Sequence, residues 1–226
     1  METSLHRQLK DRYATEGALI EQRVGRYRID VVRGNELVEI QLASLAAIRD
    51  KIGALAERHR VLVVKPIVAR KFLVKQSCAG GPVVSRRRSP KQGTVLDVFE
   101  ELVHFTRVFP NPRVTLEVLL VEIEELRYPG HGRRRRRRDT DHQVEDQRLL
   151  SVVGRHQFRT AAHLCRLLPR GLPRPFHTGQ LAAGLSAERW IAQRMAYCLR
   201  EIGAIRAVGK QRGAWMYERV RGKAAA

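Results

Sequence analysis

The chain has 226 residues, with 43 Lys and Arg against 23 Asp and Glu, a formal net charge of +20 and a pI near 11.1. Such a surplus attracts polyanions over long range, and charge alone does not separate DNA from RNA or an anionic membrane surface. With 43% hydrophobic residues it buries a real core, no apolar run reaches the ~18 residues that span a bilayer, and three dispersed cysteines (Cys78, Cys165, Cys198) offer neither a disulfide framework nor a Cys-x-x-Cys zinc pair.

Met1 to Ser4 lacks a charged segment followed by an apolar one, so the expected location is cytoplasmic, and nucleoid-associated in a bacterium. Leu5, Leu9 and Tyr13 predict a helix over Ser4–Ala14, with Ser4 as N-cap. Three strands follow at Ala18–Val24, Tyr27–Arg33 and Glu36–Leu42. They are joined by Gly25-Arg26 and Gly34-Asn35, two-residue loops with Gly first that suit type II′ turns. Ser44 caps a helix whose apolar side is Leu45, Ile48, Ile52 and Leu55. Val61–Val64 then reads as a strand buried on both faces and parallel to Glu36–Leu42.

Beyond Pro66, Lys71–Gln76 and Pro82–Arg86 predict a hairpin around Gly80-Gly81. Thr94–Phe105 predicts a helix, and Val114–Leu126 a long strand. The segment 128–142, which holds the six-arginine run Arg133–Arg138, reads as a basic linker between domains 1–127 and 143–220. The linker arginines are expected to add phosphate affinity without sequence specificity. In the second domain helices are expected at Glu145–Val153, Thr160–Leu168, Thr178–Ala183 and Ala187–Ile202, the last capped by Ser186. Two short strands, Ile205–Val208 and Ala214–Glu218, close the chain.

If both hairpin loops contain two residues, Glu21 faces Asp30 and Asp30 faces Glu39, with Gln41 further along the same face. Directly opposed side chains stand about 4.5–5.5 Å apart at Cβ. Three carboxylates so close repel unless protons or a cation neutralise them, and Mg²⁺ or Mn²⁺ is the expected neutraliser. Arg23, Arg28 and Arg33 are expected on the opposite face, while Lys51 and Lys65 are the lysines that could approach the row.

The order α-β-β-β-α-β, with Asp30 on one strand and Glu39-Ile40-Gln41 on the next, resembles the PD-(D/E)XK nuclease superfamily over about residues 4–66. The resemblance implies an α/β, restriction-endonuclease-like core with a mixed sheet. It also implies metal-dependent phosphodiester hydrolysis, with Asp30, Glu39 and Gln41 at the catalytic positions and Glu21, Asp30 and Glu39 as metal ligands. Gln41 stands where the family has lysine, and an amide cannot neutralise developing charge.

Thr178–Ile202, with the strands around Lys210–Gly213, resembles a winged helix-turn-helix. In that fold the second helix enters the major groove, which leaves Arg189, Trp190, Gln193, Arg194 and Tyr197 facing DNA. Arg and Gln are the side chains that read guanine and adenine edges. Lys210 and Arg212 at the wing suit phosphate, as do Arg86, Arg87 and Arg88 in the first domain. Winged helices also dimerise, so a homodimer is a further expectation. Two functions compatible with the same residues are a non-catalytic DNA-binding regulator on an inactivated nuclease fold and an RNA-associated basic protein.

Overall fold

The computed structural model describes residues 2–130 and 141–220; the expected contribution of Arg133–Arg138 lies outside the described residues. Helix α1 (Ser4–Tyr13) is capped by Thr3, not Ser4, because the Thr3 hydroxyl accepts from His6 N. The Ser4 amide instead donates to Asp146 Oδ1 at 2.8 Å. Strands β1 (Leu19–Val24), β2 (Tyr27–Arg33) and β3 (Glu36–Ile40) form the expected antiparallel meander. Gly25 and Gly34 take φ of +57° and +52°, with Arg26 and Asn35 outside the left-handed region, as turns with Gly first require.

Ser44 caps a 3₁₀ turn, Leu45–Ile48, that runs into α2 (Arg49–Ala56). Strand β4 (Arg60–Gln76) is far longer than Val61–Val64 and passes through Pro66 without ending. Near Val64 it meets the end of β3, where Gln41 N donates to Val64 O at 2.9 Å. From Phe72 to Gln76 it pairs with β5 (Val83–Arg88), antiparallel. The helix expected over Thr94–Phe105 contracts to α3 (Val98–Leu102) behind a single 3₁₀ turn.

Strand β6 (Val114–Pro129) is followed by β7 (His142–Phe158), which corrects the helix expected at Glu145–Val153. Burial along its second half alternates nearly residue by residue, the period of a strand with one covered face. Among the described residues the sheet holds seven strands in the order β1-β2-β3-β4-β6-β7, with β5 also on β4. The protein is therefore α/β with a mixed sheet.

Helices α4 (Ala161–Cys165), α5 (Thr178–Leu185) and α6 (Arg189–Glu201) precede the hairpin of β8 (Ile205–Gln211) and β9 (Ala214–Arg219). Thr160 caps α4. Ser186 does not cap α6; it ends α5 in the left-handed conformation, at φ +49°. No described helix is long and apolar enough to cross a membrane.

Two compact units divide the chain in space. One gathers Met1–Leu42, Val64–Val95 and Val118–His156; the other gathers Ala43–Val63, Leu96–Glu117 and Gln157–Ala226. In the first, Leu5, Leu9, Ile29, Val31, Val38 and Val121 are buried. In the second, Phe99, Leu102, Phe105 and Phe109 share the core with Leu164, Leu181, Met195 and Leu199. Each such side chain contributes about 1.5–3 kcal/mol by leaving water.

Candidate functional site

The hairpin registers hold on both sides of β2. Ile20 pairs with Val31 and Gln22 with Ile29, while Val31 pairs with Val38. The expected row of Glu21, Asp30 and Glu39 nonetheless does not become a carboxylate cluster. Glu21 has φ +55°, a left-handed conformation that interrupts the strand's alternation of side chains. Its carboxylate goes to the ammonium of Lys10 and the guanidinium of Arg28. These two cations, Lys10 first, hold the Glu21 carboxyl below its ordinary pKa.

Arg28 is the second correction. It lies two residues from Asp30 and so on the same face of β2, not the opposite one. Arg33 bonds Glu36 at 2.7 Å and lies over the Tyr13 ring.

Asp30 is half-buried and its Oδ2 accepts from Ile40 N at 2.7 Å. The same oxygen stands 3.4 Å from His6 Nε2, which also contacts Ile40 O at 3.1 Å. The bond to Asp30 outweighs burial and raises the His6 pKa to about 9. His6 Nδ1 contacts Glu2 Oε1 at 2.7 Å, and Lys10 Nζ meets the same oxygen at 2.5 Å. Burial opposes the charge on Lys10, but Glu2 and Glu21 outweigh it and raise its pKa.

The result is a chain of alternating charge: Asp30, His6, Glu2, Lys10, Glu21, Arg28. Glu39 is buried on β3. Lys65, also buried, donates from Nζ to Leu42 O at 3.2 Å and so reaches the end of β3 that carries Gln41.

This donor set does not suit a divalent cation. The Glu21 and Asp30 carboxylates already face cations of the chain itself. Among the described residues, no three His, Cys, Asp or Glu are grouped to hold a metal. Sequence reasoning missed Glu2, His6 and Lys10. Their spacing of four puts His6 and Lys10 on one side of α1, with Glu2 just ahead of its cap, and was the available signal.

The arginines of β5 divide. Arg86 bonds Glu124 at 2.8 Å and lies 4.2 Å from the Phe72 ring centroid, which engages its charge within the sheet. Arg87 and Arg88 are exposed.

The second basic surface is on α6. Ile191, Ala192, Met195, Ala196, Cys198 and Leu199 are buried, and the Cys198 thiol lies against Phe99 O of α3 at 3.7 Å. Burial pushes that thiol up to about 12. The other side exposes Arg189, Trp190, Gln193, Arg194 and Tyr197. Arg194 stands over the Trp190 ring and 3.5 Å from Glu100, so it is not fully free for a ligand. Arg212, at φ +47°, sits in the β8–β9 turn, and Lys210 lies over the Trp215 ring.

Residues 3–159 match the family described as "Domain of unknown function (DUF8091)". The chain belongs to this family. The DUF8091 match takes in α1 to β7 and stops before α4, so α6 and the β8–β9 hairpin lie outside it. An "Uncharacterized protein" of Treponema pallidum (strain Nichols) is 28% identical over 182 residues, covering 80% of this chain and 71% of the relative. No solved structure matches this DUF8091 chain.

Proposed function

We propose that the protein binds DNA without cleaving it, and that α5, α6 and the β8–β9 hairpin act as a winged helix-turn-helix. The observation that carries this reading is the exposed side of α6. There Arg189, Gln193 and Arg194 lie with Trp190 and Tyr197 on a helix whose opposite side is buried. Such a helix enters a major groove and presents base-reading side chains without exposing core. Residues 157–220 carry eleven Arg and Lys against three Glu, which favours a polyanionic partner. Lys210 and Arg212 are placed for phosphate contact.

The alternating ion network turns the choice between nuclease and binder toward the binder. In this reading Asp30, Glu21 and Lys10 hold α1 to β1 and β2, and neither Mg²⁺ nor Mn²⁺ is required.

The test is fluorescence anisotropy of the full chain with labelled duplex DNA from 50 to 300 mM NaCl, alongside a plasmid assay with Mg²⁺ and Mn²⁺. Expected are salt-sensitive binding, a loss of about tenfold in R189A/Q193A, and intact plasmid. Failure to bind duplex at 50 mM NaCl, or a clear preference for structured RNA, overturns the DNA reading. Cleavage that disappears in D30A overturns the non-catalytic one.

A further inference from the structure

Between α4 and α5 the chain runs through a segment stiffened by Pro169, Pro173 and Pro175. Gly184 of α5 lets this segment come close, since a Cβ there would lie 3.1 Å from the Pro169 ring. Arg219 of β9 donates to Pro169 O at 3.4 Å. Beside these contacts lies a cavity of about 520 Å³, lined by Arg166, Arg170, Arg174 and Arg219 with Leu168 and Phe176. A second cavity of about 760 Å³ shares Arg174 and Arg219 and adds Arg206 and Glu218. Both open to solvent, and Arg174 and Arg219 line the two of them.

Their charge is one-sided. Glu218, the acid in the lining, is bonded to Arg206 at 2.7 Å. Arg166, Arg170 and Arg174 have no carboxylate within 4 Å among the described residues. Guanidinium groups gathered without counter-charge repel, and an anion converts that repulsion into binding. The planar guanidinium fork matches phosphate oxygens in particular. Two open cavities with arginines in common suit successive phosphates of a chain better than a compact ligand that would need enclosing.

We infer that this arginine groove grips the phosphodiester backbone of DNA, as a contact surface separate from the exposed side of α6. The inference rests on the DNA-binding reading above and adds to it a contact that senses phosphate and not sequence.

The experiment uses the full chain and labelled duplex over the same salt range. It compares R170Q/R174Q with R170K/R174K and with R189A/Q193A. Both arginines lie on an exposed connection, and matching thermal melts establish that the variants fold. R170Q/R174Q is expected to lose about tenfold in affinity at 100 mM NaCl. Its slope of log affinity against log salt becomes shallower by about 2, near 0.9 per phosphate contact, with sequence preference unchanged. R170K/R174K keeps most of the slope.

If R170Q/R174Q binds like the wild type while R189A/Q193A is weakened, the groove proposal is overturned and the reading of α6 stands. If the wild type binds no DNA, both fall. Calorimetry with inorganic phosphate and AMP separates the remaining source of phosphate. Micromolar binding of either that R170Q/R174Q loses, with DNA affinity untouched, assigns the groove to a free phosphorylated ligand and sinks the proposal.

Discussion

His6 Nε2 lies 3.4 Å from Asp30 Oδ2, so an imidazolium on α1 answers the carboxylate carried by β2. The His6 pKa of about 9 makes this contact a source of pH-dependent stability. A folded-state pKa above the unfolded value of 6.5 gives stabilisation that is complete below pH 6.5. It is lost as pH rises through 9. The groups that face His6 are Asp30 and Glu2, with Lys10 sharing the Glu2 oxygen. Urea unfolding at pH 6.0, 7.5 and 9.0 should show stability falling by on the order of 2 kcal/mol. The His6→Gln variant should lose most of that dependence; an unchanged slope would contradict the assignment.

Added metal should do little to the native protein. With Glu2, Glu21 and Asp30 each held by cations of the chain, 5 mM Mn²⁺ should move the wild-type melting temperature by less than about 1 °C. Removing the internal cations in H6A/K10A leaves like charges facing one another. That variant should melt lower and regain several degrees with Mn²⁺. A large Mn²⁺ shift in the wild type would argue that the ion network is displaced by metal.

Glu100 restrains Arg194 at 3.5 Å and presents a negative charge beside the exposed side of α6. The E100Q variant should bind DNA several-fold more tightly, and R194A should cost less than R189A. Anisotropy titrations at one fixed salt concentration read both. Tighter binding by the wild type than by E100Q would place Glu100 in contact with a base and not in competition with one.

The three thiols should separate by burial. Cys78 is exposed, Cys165 intermediate and Cys198 buried. Because the thiolate is the reactive form, burial that pushes Cys198 to about 12 leaves it inert. A chromogenic disulfide reagent should modify Cys78 within seconds and Cys165 slowly. Cys198 should react only on unfolding. F99A removes a fully buried ring from α3, whose backbone carbonyl meets that thiol, and it should cost about 3–5 kcal/mol while exposing Cys198 to the reagent.

The meander was legible because its signals are local: β-branched runs separated by turns with Gly first, and a register that follows from loop length. The distribution of charge was not. Glu21 takes its left-handed φ in a sequence, Ile20-Glu21-Gln22, that carries no glycine to announce it. The further partners of His6 and Lys10, Asp30 on β2 and Glu21 on β1, lie on other elements that only the fold brings near.

Strand β7 was misread because Leu149-Leu150 and Val152-Val153 satisfy a helical stripe as readily as a strand. The decisive constraint is its neighbour β6, which offers Glu122 to Ser151 and Glu125 to Gln147. On α6 the exposed and buried sides follow the helical period and were readable. The claim of Glu100 on Arg194 was not, since α3 is brought to α6 by packing.

Each compact unit is assembled from three separate stretches of chain, and that makes the protein poor material for modular exchange. No single scission separates either unit from stretches of the other, and no single recombination joint could transplant one alone into another gene. A protease acting at one bond therefore leaves at least one unit divided between two fragments. Truncated forms should be lost to degradation and not persist as independent folding pieces.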